Sequence, residues 1–231
     1  MDFTSRLLSL FGLDFDIPIS TRGDSFSPIT DRLYVGVRPR AEDIKELRGI
    51  GITHVASCLE DAHLAKLTHL NGTFRWLQIP LRDSMNEDIA ASFPTFFEFA
   101  ARAYGDPSSK LLVHCQAGVS RSATLAVAWL MKSRSQTFFD AFAQLRSKRP
   151  GVLPNIGFAS QLERLEHALY PDRVATRERS SLARYLSEVC KAPVEVELLE
   201  ELLKQHDFHA PEALRALFDG EIPRVVQGVR A

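Results

Sequence analysis

Val113-His114-Cys115-Gln116-Ala117-Gly118-Val119-Ser120-Arg121-Ser122 is the stretch that decides how this chain reads. An apolar run at residues 111–113 leads into it and predicts a buried strand. Residues 123–131 lead out of it and predict a helix. A strand, a short loop and a helix start make an anion site. The first helical N–H groups lack partners within the helix, and the helix dipole favours negative charge there. Gly118 permits the turn that aims successive N–H groups inward. Arg121 adds a planar fork able to hold two oxygens of one phosphate. Cys115 sits at the base of this bowl, where the same N–H groups favour a thiolate. An ionised sulfur beneath a phosphate-sized pocket is a nucleophile aimed at phosphorus.

His114-Cys115, five intervening residues, then Arg121-Ser122 resembles the signature of the cysteine-dependent protein phosphatases. The longer string VHCQAGVSRSATLAVAWLM resembles their dual-specificity branch. A bare Cys and Arg at this spacing arises by chance. The His, the strand, the central Gly, the following Ser and the apolar helix supply the structural context that a motif needs. Two further strings resemble the same family: ITDRLYVG with GITHVASCLED before the motif, and RSKRPGVLPNIGFASQLERLE after it. Together they cover about residues 29–170, the expected catalytic domain. Residues 1–28 are left as a leader and 171–231 as a linker with a helical appendage.

The 231 residues suffice for one good domain and an appendage. A net charge of -1 gives no basic field for nucleic acid or a membrane surface. Cys58, Cys115 and Cys190 are widely spaced and odd in number. That fits a reducing compartment, cytoplasm or nucleus, better than a disulfide framework. No apolar run reaches membrane-spanning length. Residues 7–13 are apolar but interrupted and lack a small-residue cleavage site, which argues against a signal peptide. In the leader, Phe3, Leu7, Leu8, Leu10 and Phe11 could share one helix face. With only Arg6 and Arg22 for positive charge, it reads first as a segment that packs on the domain or is partly disordered. An amphipathic anchor is the second reading.

Residues 31–36, 52–59 and 74–80 predict strands, and 41–47 and 88–104 predict helices. Phe93, Phe96, Phe97 and Phe99 read as core. Glu60, Asp61 and His63 read as a solvated loop and helix cap rather than a metal site. Thr137 and Asp140 form a capping pair for a helix that stops at Pro150. A last family helix follows Asn155. This alternation predicts an α/β fold with a central, mostly parallel sheet flanked by helices, whose ligand sites lie beyond the carboxyl ends of strands. Helices are expected at 181–190, 194–206 and 211–218, the last with Pro211 in its first turn and Gly220 at its stop. Leu198, Leu199, Leu202 and Leu203 give the appendage a sticky face. It either binds a protein partner or packs on the catalytic domain.

The resemblance implies hydrolysis of phosphotyrosine and phosphoserine or phosphothreonine in proteins through a phosphocysteine. Cys115 is then the nucleophile. Arg121 and the loop residues Gln116, Ala117, Gly118, Val119 and Ser120 hold phosphate. Asp83, on the loop after the third strand, matches the position of the family's proton donor; Asp88 and Glu87 are its runners-up. The hydroxyl of Ser122 matches one that bonds the catalytic sulfur and eases its departure. His114 precedes the nucleophile on a strand, so its side chain faces the other way and braces the loop. Asn155 braces it from a neighbouring loop. Neither metal nor cofactor is called for, since loop dipoles and Arg121 supply the electrophilic stabilisation. Relatives acting on inositol lipids often carry lysines in the loop, and those acting on glucans a Gly where Ser120 stands; this chain has neither. A phosphatase fold used only as a binding scaffold is the remaining alternative. Cys58 is a candidate to trap oxidised Cys115, if the two Cα atoms are close enough.

Overall fold

A computed structural model describes residues 25–176, 179–189 and 196–219. The leader's apolar face, Cys190 and the Gly220 stop lie outside the described residues.

Five strands form one sheet in the order β1-β2-β5-β3-β4. These are β1 Phe26–Pro28, β2 Leu33–Gly36, β3 Ile52–Leu59, β4 Arg75–Pro80 and β5 Lys110–His114. All neighbouring pairs are parallel except β1 with β2. The expected α/β class and mostly parallel sheet are therefore present. Strand β5 is central, between β2 and β3, and its Leu111, Leu112 and Val113 are fully buried. A strand covered on both faces needs apolar side chains at every position, which is why it reads as a continuous run. Alternation along it feeds two cores. Leu111, Val113 and Cys115 join the larger core, while Leu112 joins the smaller one with Leu47, Val55, Leu59 and Leu70.

The smaller core is roofed by α1 Ile44–Ile50 and the one-turn α2 Asp61–Leu64. Glu60 precedes α2 without a side-chain capping bond, and Asp61 and His63 lie on that turn. The larger core holds α3 Phe93–Gly105, α4 Arg121–Arg134, α5 Phe138–Lys148 and α6 Ile156–Leu169. Every residue of α4 from Arg121 to Met131 is buried. A helix apolar on all sides belongs in the middle of a layer, and this one carries the site to the centre of the fold. It ends in the basic Lys132 and Arg134, which suit its negative pole.

Three local expectations are corrected. Residues 26–28, read as leader, form the antiparallel edge strand β1. Its three residues are too few to show a period in sequence. The helix expected from residue 88 opens instead as a 3-10 turn at Ala90–Ser92, with α3 starting at Phe93 and Pro94 in its first turn. The polar linker begins with a short helix, α7 Pro171–Thr176.

Beyond it lie α8 Ser181–Val189, α9 Val196–Gln205 and α10 Ala210–Asp219. Leu182, Tyr185 and Leu186 of α8, Leu199, Leu202 and Leu203 of α9, and Leu214 of α10 share one core with Phe138, Phe142 and Phe158. Of the two readings left open for this region, packing on the preceding helices is what the described residues contain. Among the described residues no helix is long and apolar enough to cross a membrane.

Candidate active site

Strand β5 ends at His114, and the chain then turns through residues 115–120 before α4 begins at Arg121. What fixes that turn is a series of donors on its carbonyls. His114 Nδ1 lies 3.2 Å from the Cys115 carbonyl. The Arg38 amide donates to Gln116 O at 3.3 Å. Arg149 donates from Nη2 to Ala117 O at 3.2 Å and from Nε to Gly118 O at 2.9 Å. The Leu153 amide takes Val119 O at 2.9 Å, and the Thr124 amide and hydroxyl both take Ser120 O. Every carbonyl from Cys115 to Ser120 thus has a partner outside the turn.

In a trans peptide the N–H of the next residue points opposite to the carbonyl. Six carbonyls pulled outward therefore turn the amides of residues 116–121 toward the inside, a concave nest of partial positive charge. Gly118 makes the turn possible. Its φ is +70°, and a Cβ there would stand 2.7 Å from the backbone of Gly36 on β2.

The sulfur of Cys115 lies within this nest and is 2% exposed. The Gly118 amide donates to Sγ at 3.3 Å, and the Ser122 hydroxyl does so at 3.2 Å. Ser122 is fully buried in the first turn of α4, with its hydroxyl against the sulfur.

His114 faces the opposite side of the sheet. Its Nε2 is 2.6 Å from Ser57 Oγ on β3, and Trp76 Nε1 donates to the same Ser57 oxygen at 2.8 Å. A carbonyl oxygen can only accept, so the proton of the neutral ring sits on Nδ1, where it donates to the Cys115 carbonyl, and Nε2 accepts from the Ser57 hydroxyl. Burial lowers the His114 pKa to about 4, the Cys115 carbonyl opposes this, and the charges of Arg38 and His69 add to the lowering. The ring is neutral at physiological pH and joins Ser57 on one side to the Cys115 carbonyl on the other.

Asp83 follows β4 on the loop beyond Leu81. Its Oδ1 accepts from Ser120 Oγ at 2.7 Å and from Asn155 Nδ2 at 3.0 Å, while Oδ2 stands 3.5 Å from Arg121 Nε. Asn155 is also the N-cap of α6, accepting the Phe158 amide on Oδ1, and its own amide donates to Ser120 Oγ at 3.2 Å. The runners-up lie elsewhere: Glu87 pairs with Arg82, and Asp88 accepts the Ala91 amide. Arg121 is 7% exposed, with Nη1 on the Leu81 carbonyl at 3.1 Å and Nε without a hydrogen bond. At 3.5 Å the contact with Asp83 is an ion pair rather than a hydrogen bond.

The loop bearing Asp83 is itself bolted to α6. Gln161 accepts the Ala90 amide on Oε1 at 2.8 Å and donates from Nε2 to Glu87 O at 2.9 Å. At Gly157 a Cβ would come within 1.9 Å of the Met85 carbonyl, so only glycine lets the loop lie this close. Neither Gln161 nor Arg149 stands out in sequence, since both bond backbone groups and neither belongs to a residue-type pattern. Cys58, on β3 next to the Ser57 that pairs with His114, is fully buried, and it and Cys115 are both free thiols. Burial pushes its thiol well up, and Cys115 nearby pushes it further while Arg121 opposes.

A nucleophilic sulfur, a nest of amides, a guanidinium and a carboxyl beside it can transfer a phosphoryl group to sulfur and release an oxygen leaving group. A family model described as "Dual specificity phosphatase, catalytic domain" matches residues 33–168. Human dual specificity protein phosphatase 26 is 38% identical over 138 residues, 59% of this chain and 65% of the relative. Mpk3 of Drosophila melanogaster is 37% identical over 137 residues, covering 59% of this chain and 33% of that protein. The chain thus spans less than two thirds of the length of these curated relatives. The crystal structure of a human tyrosine phosphatase-like serine/threonine/tyrosine-interacting protein is similar, with TM-score 0.57 and 30% identity. It covers 63% of this chain and 97% of that one. Human DUSP28 is similar with TM-score 0.58 and 26% identity over 64% of this chain and 97% of its own.

Proposed function

This chain belongs to the dual-specificity phosphatase family, and on that premise we propose that it hydrolyses phosphotyrosine and phosphoserine or phosphothreonine in proteins through a phosphocysteine. The observation that carries the reading is the turn whose six carbonyls are all held from outside, with Sγ of Cys115 inside it.

In the first step the Cys115 thiolate attacks phosphorus and the bond from phosphorus to the ester oxygen breaks. Amides of residues 116–121 and the Arg121 fork hold the equatorial oxygens as charge spreads over them. Asp83 gives a proton from Oδ2 to the leaving oxygen; Oδ1 stays held by Ser120 and Asn155. In the second step Asp83 takes a proton from water, the water oxygen bonds phosphorus, and the bond from sulfur to phosphorus breaks. The Ser122 hydroxyl stabilises the thiolate that leaves. Gln116, Ala117, Val119 and Ser120 add no charge to the pocket, which favours a phosphorylated side chain over a polyanionic inositol headgroup. Cys58 and Cys115, free among the described residues, support a reducing compartment.

Turnover of an aryl phosphate tests the reading. Wild type should release phosphate in chelator-treated buffer and Cys115→Ser should not. Asp83→Asn should cost about 10²-fold or more on phenyl phosphate, as expected for a lost general acid, and little on dinitrophenyl phosphate, whose phenolate leaves unaided. No difference between wild type and Cys115→Ser removes the enzyme. Equal losses on the two esters move the acid away from Asp83.

A further inference from the structure

The family match stops at residue 168, yet one side chain beyond it reaches the active site's scaffold. Tyr185 on α8 is fully buried, its ring edge-on to Phe142 at 4.8 Å and tilted against Phe138 at 5.3 Å. Its hydroxyl donates to the carbonyl of Pro154. The next residue is Asn155, whose amide holds Ser120 Oγ and whose side chain holds Asp83 Oδ1. A chain of bonds therefore runs from α8 through Pro154 and Asn155 to the proposed proton donor and the phosphate loop.

The position of α8 is itself fixed. Glu163 of α6, fully buried, accepts the Leu182 amide at 2.8 Å in the first turn of α8. Glu200 of α9 accepts the Ser180 amide at 2.8 Å, and Ser180 Oγ accepts the Ala183 amide. Arg184 stacks over Phe139 of α5 at 3.9 Å. A buried phenol keeps its proton, because burial pushes Tyr185 far above the ordinary tyrosine range. The hydroxyl is a donor at every working pH. Pro154 precedes the N-cap Asn155, and the Phe158 amide goes to Asn155 Oδ1, so the Pro154 carbonyl lies outside the helix ladder. The phenol fills that place.

We propose that Tyr185 is a positioning residue of the active site: its hydroxyl fixes the Pro154 carbonyl, and through Asn155 it sets where Asp83 and Ser120 stand. The appendage is on this account part of the catalytic unit. The proposal rests on reading Asp83 as the proton donor.

Tyr185→Phe keeps the ring and deletes the bond. The expected result is a kcat about tenfold lower on phenyl phosphate, a part of what a placed acid supplies. On dinitrophenyl phosphate the change stays under about twofold, and the variant adds nothing in the Asp83→Asn background. Phe142→Leu is the control. It loosens the packing around the same ring and leaves the hydroxyl, so it should slow both esters equally. A loss on Tyr185→Phe that is equal for both esters, or that adds in full to Asp83→Asn, overturns the proposal. Amide hydrogen exchange at Asn155 is the readout that does not need turnover. It should quicken about tenfold in Tyr185→Phe with most of the sheet unchanged, and an unchanged rate also overturns it. Should wild type show no Cys115-dependent turnover, the phosphatase reading fails and the exchange measurement still decides whether Tyr185 holds the loop.

Discussion

Acid should weaken this protein through one imidazole, by an amount that the structure sets. Burial lowers the pKa of His114 to about 4 from an ordinary 6.5. Between those values the unfolded chain binds a proton on this ring and the folded chain does not. Falling pH therefore favours unfolding. The contribution is whole above about pH 6.5 and is lost as pH drops toward 4. Each tenfold difference in proton affinity is about 1.4 kcal/mol, so the full descent removes about 3 kcal/mol and pH 5 removes about 2 kcal/mol. Against a domain stability of about 5–15 kcal/mol that is a large share. The local cause is burial: a charged imidazolium here is shut away from water, and the Cys115 carbonyl on Nδ1 offsets only part of that cost.

Urea unfolding of wild type and His114→Asn, each at pH 7.5 and pH 5.0, isolates this term. Asparagine does not titrate, and its amide reaches the Nδ1 position, so it can still donate to the Cys115 carbonyl. It abandons Ser57 and should cost about 1–3 kcal/mol at both pH values for the hydroxyl left unpaired. What identifies His114 is the difference between the two pH values, which should shrink by about 2 kcal/mol in the variant. Other groups titrate in both proteins and cancel, His54 among them, whose pKa burial also lowers. If both proteins lose the same stability between pH 7.5 and pH 5.0, to within about 0.5 kcal/mol, the neutral buried ring is wrong.

Ser122→Ala removes the hydroxyl on Sγ; phosphocysteine should accumulate, seen as a burst of leaving group followed by a steady rate about tenfold or more slower, and a uniformly slow reaction without a burst would refute the assignment. Gln161→Ala unbolts the Asp83 loop at Glu87 and Ala90. It should cost about 1–2 kcal/mol in urea unfolding and lower kcat on phenyl phosphate more than on dinitrophenyl phosphate, whereas an equal loss on both would separate the bolt from the acid.

Some of this was open to reading because the physics was local. Strand β3 occupies Ile52–Leu59 as expected, since its β-branched run is bounded by Gly51 before it and Glu60 after it. Helix α5 follows Thr137, whose hydroxyl accepts the Asp140 amide at 3.1 Å. The juxtaposition of Cys115, Gly118 and Ser122 follows from a strand, a tight turn and a helix in succession. Other features depend on the far partner. Arg149 resembles any basic residue near a helix end until it is found bonding the carbonyls of Ala117 and Gly118. Ser57 and Trp76 are ordinary strand residues until parallel pairing of β3 with β5 brings Ser57 opposite His114. The place of Tyr185 depends on how α8 turns back over α5 and α6. No periodicity within residues 181–189 encodes that return.

The contact between Arg121 and Asp83 should tie substrate capture to placement of the acid. The Arg121 guanidinium is buried, makes one hydrogen bond to the Leu81 carbonyl, and leaves Nε unbonded at 3.5 Å from Asp83 Oδ2. A phosphate entering the nest offers two oxygens to the fork at once, the geometry in which arginine binds most strongly. Turning to it would take the guanidinium away from Asp83 and free Oδ2 toward the leaving oxygen, while Ser120 and Asn155 hold Oδ1. Affinity for the phosphate and readiness of the acid draw on the same side chain, and a substitution at Asp83 should therefore alter phosphate affinity as well as leaving-group dependence.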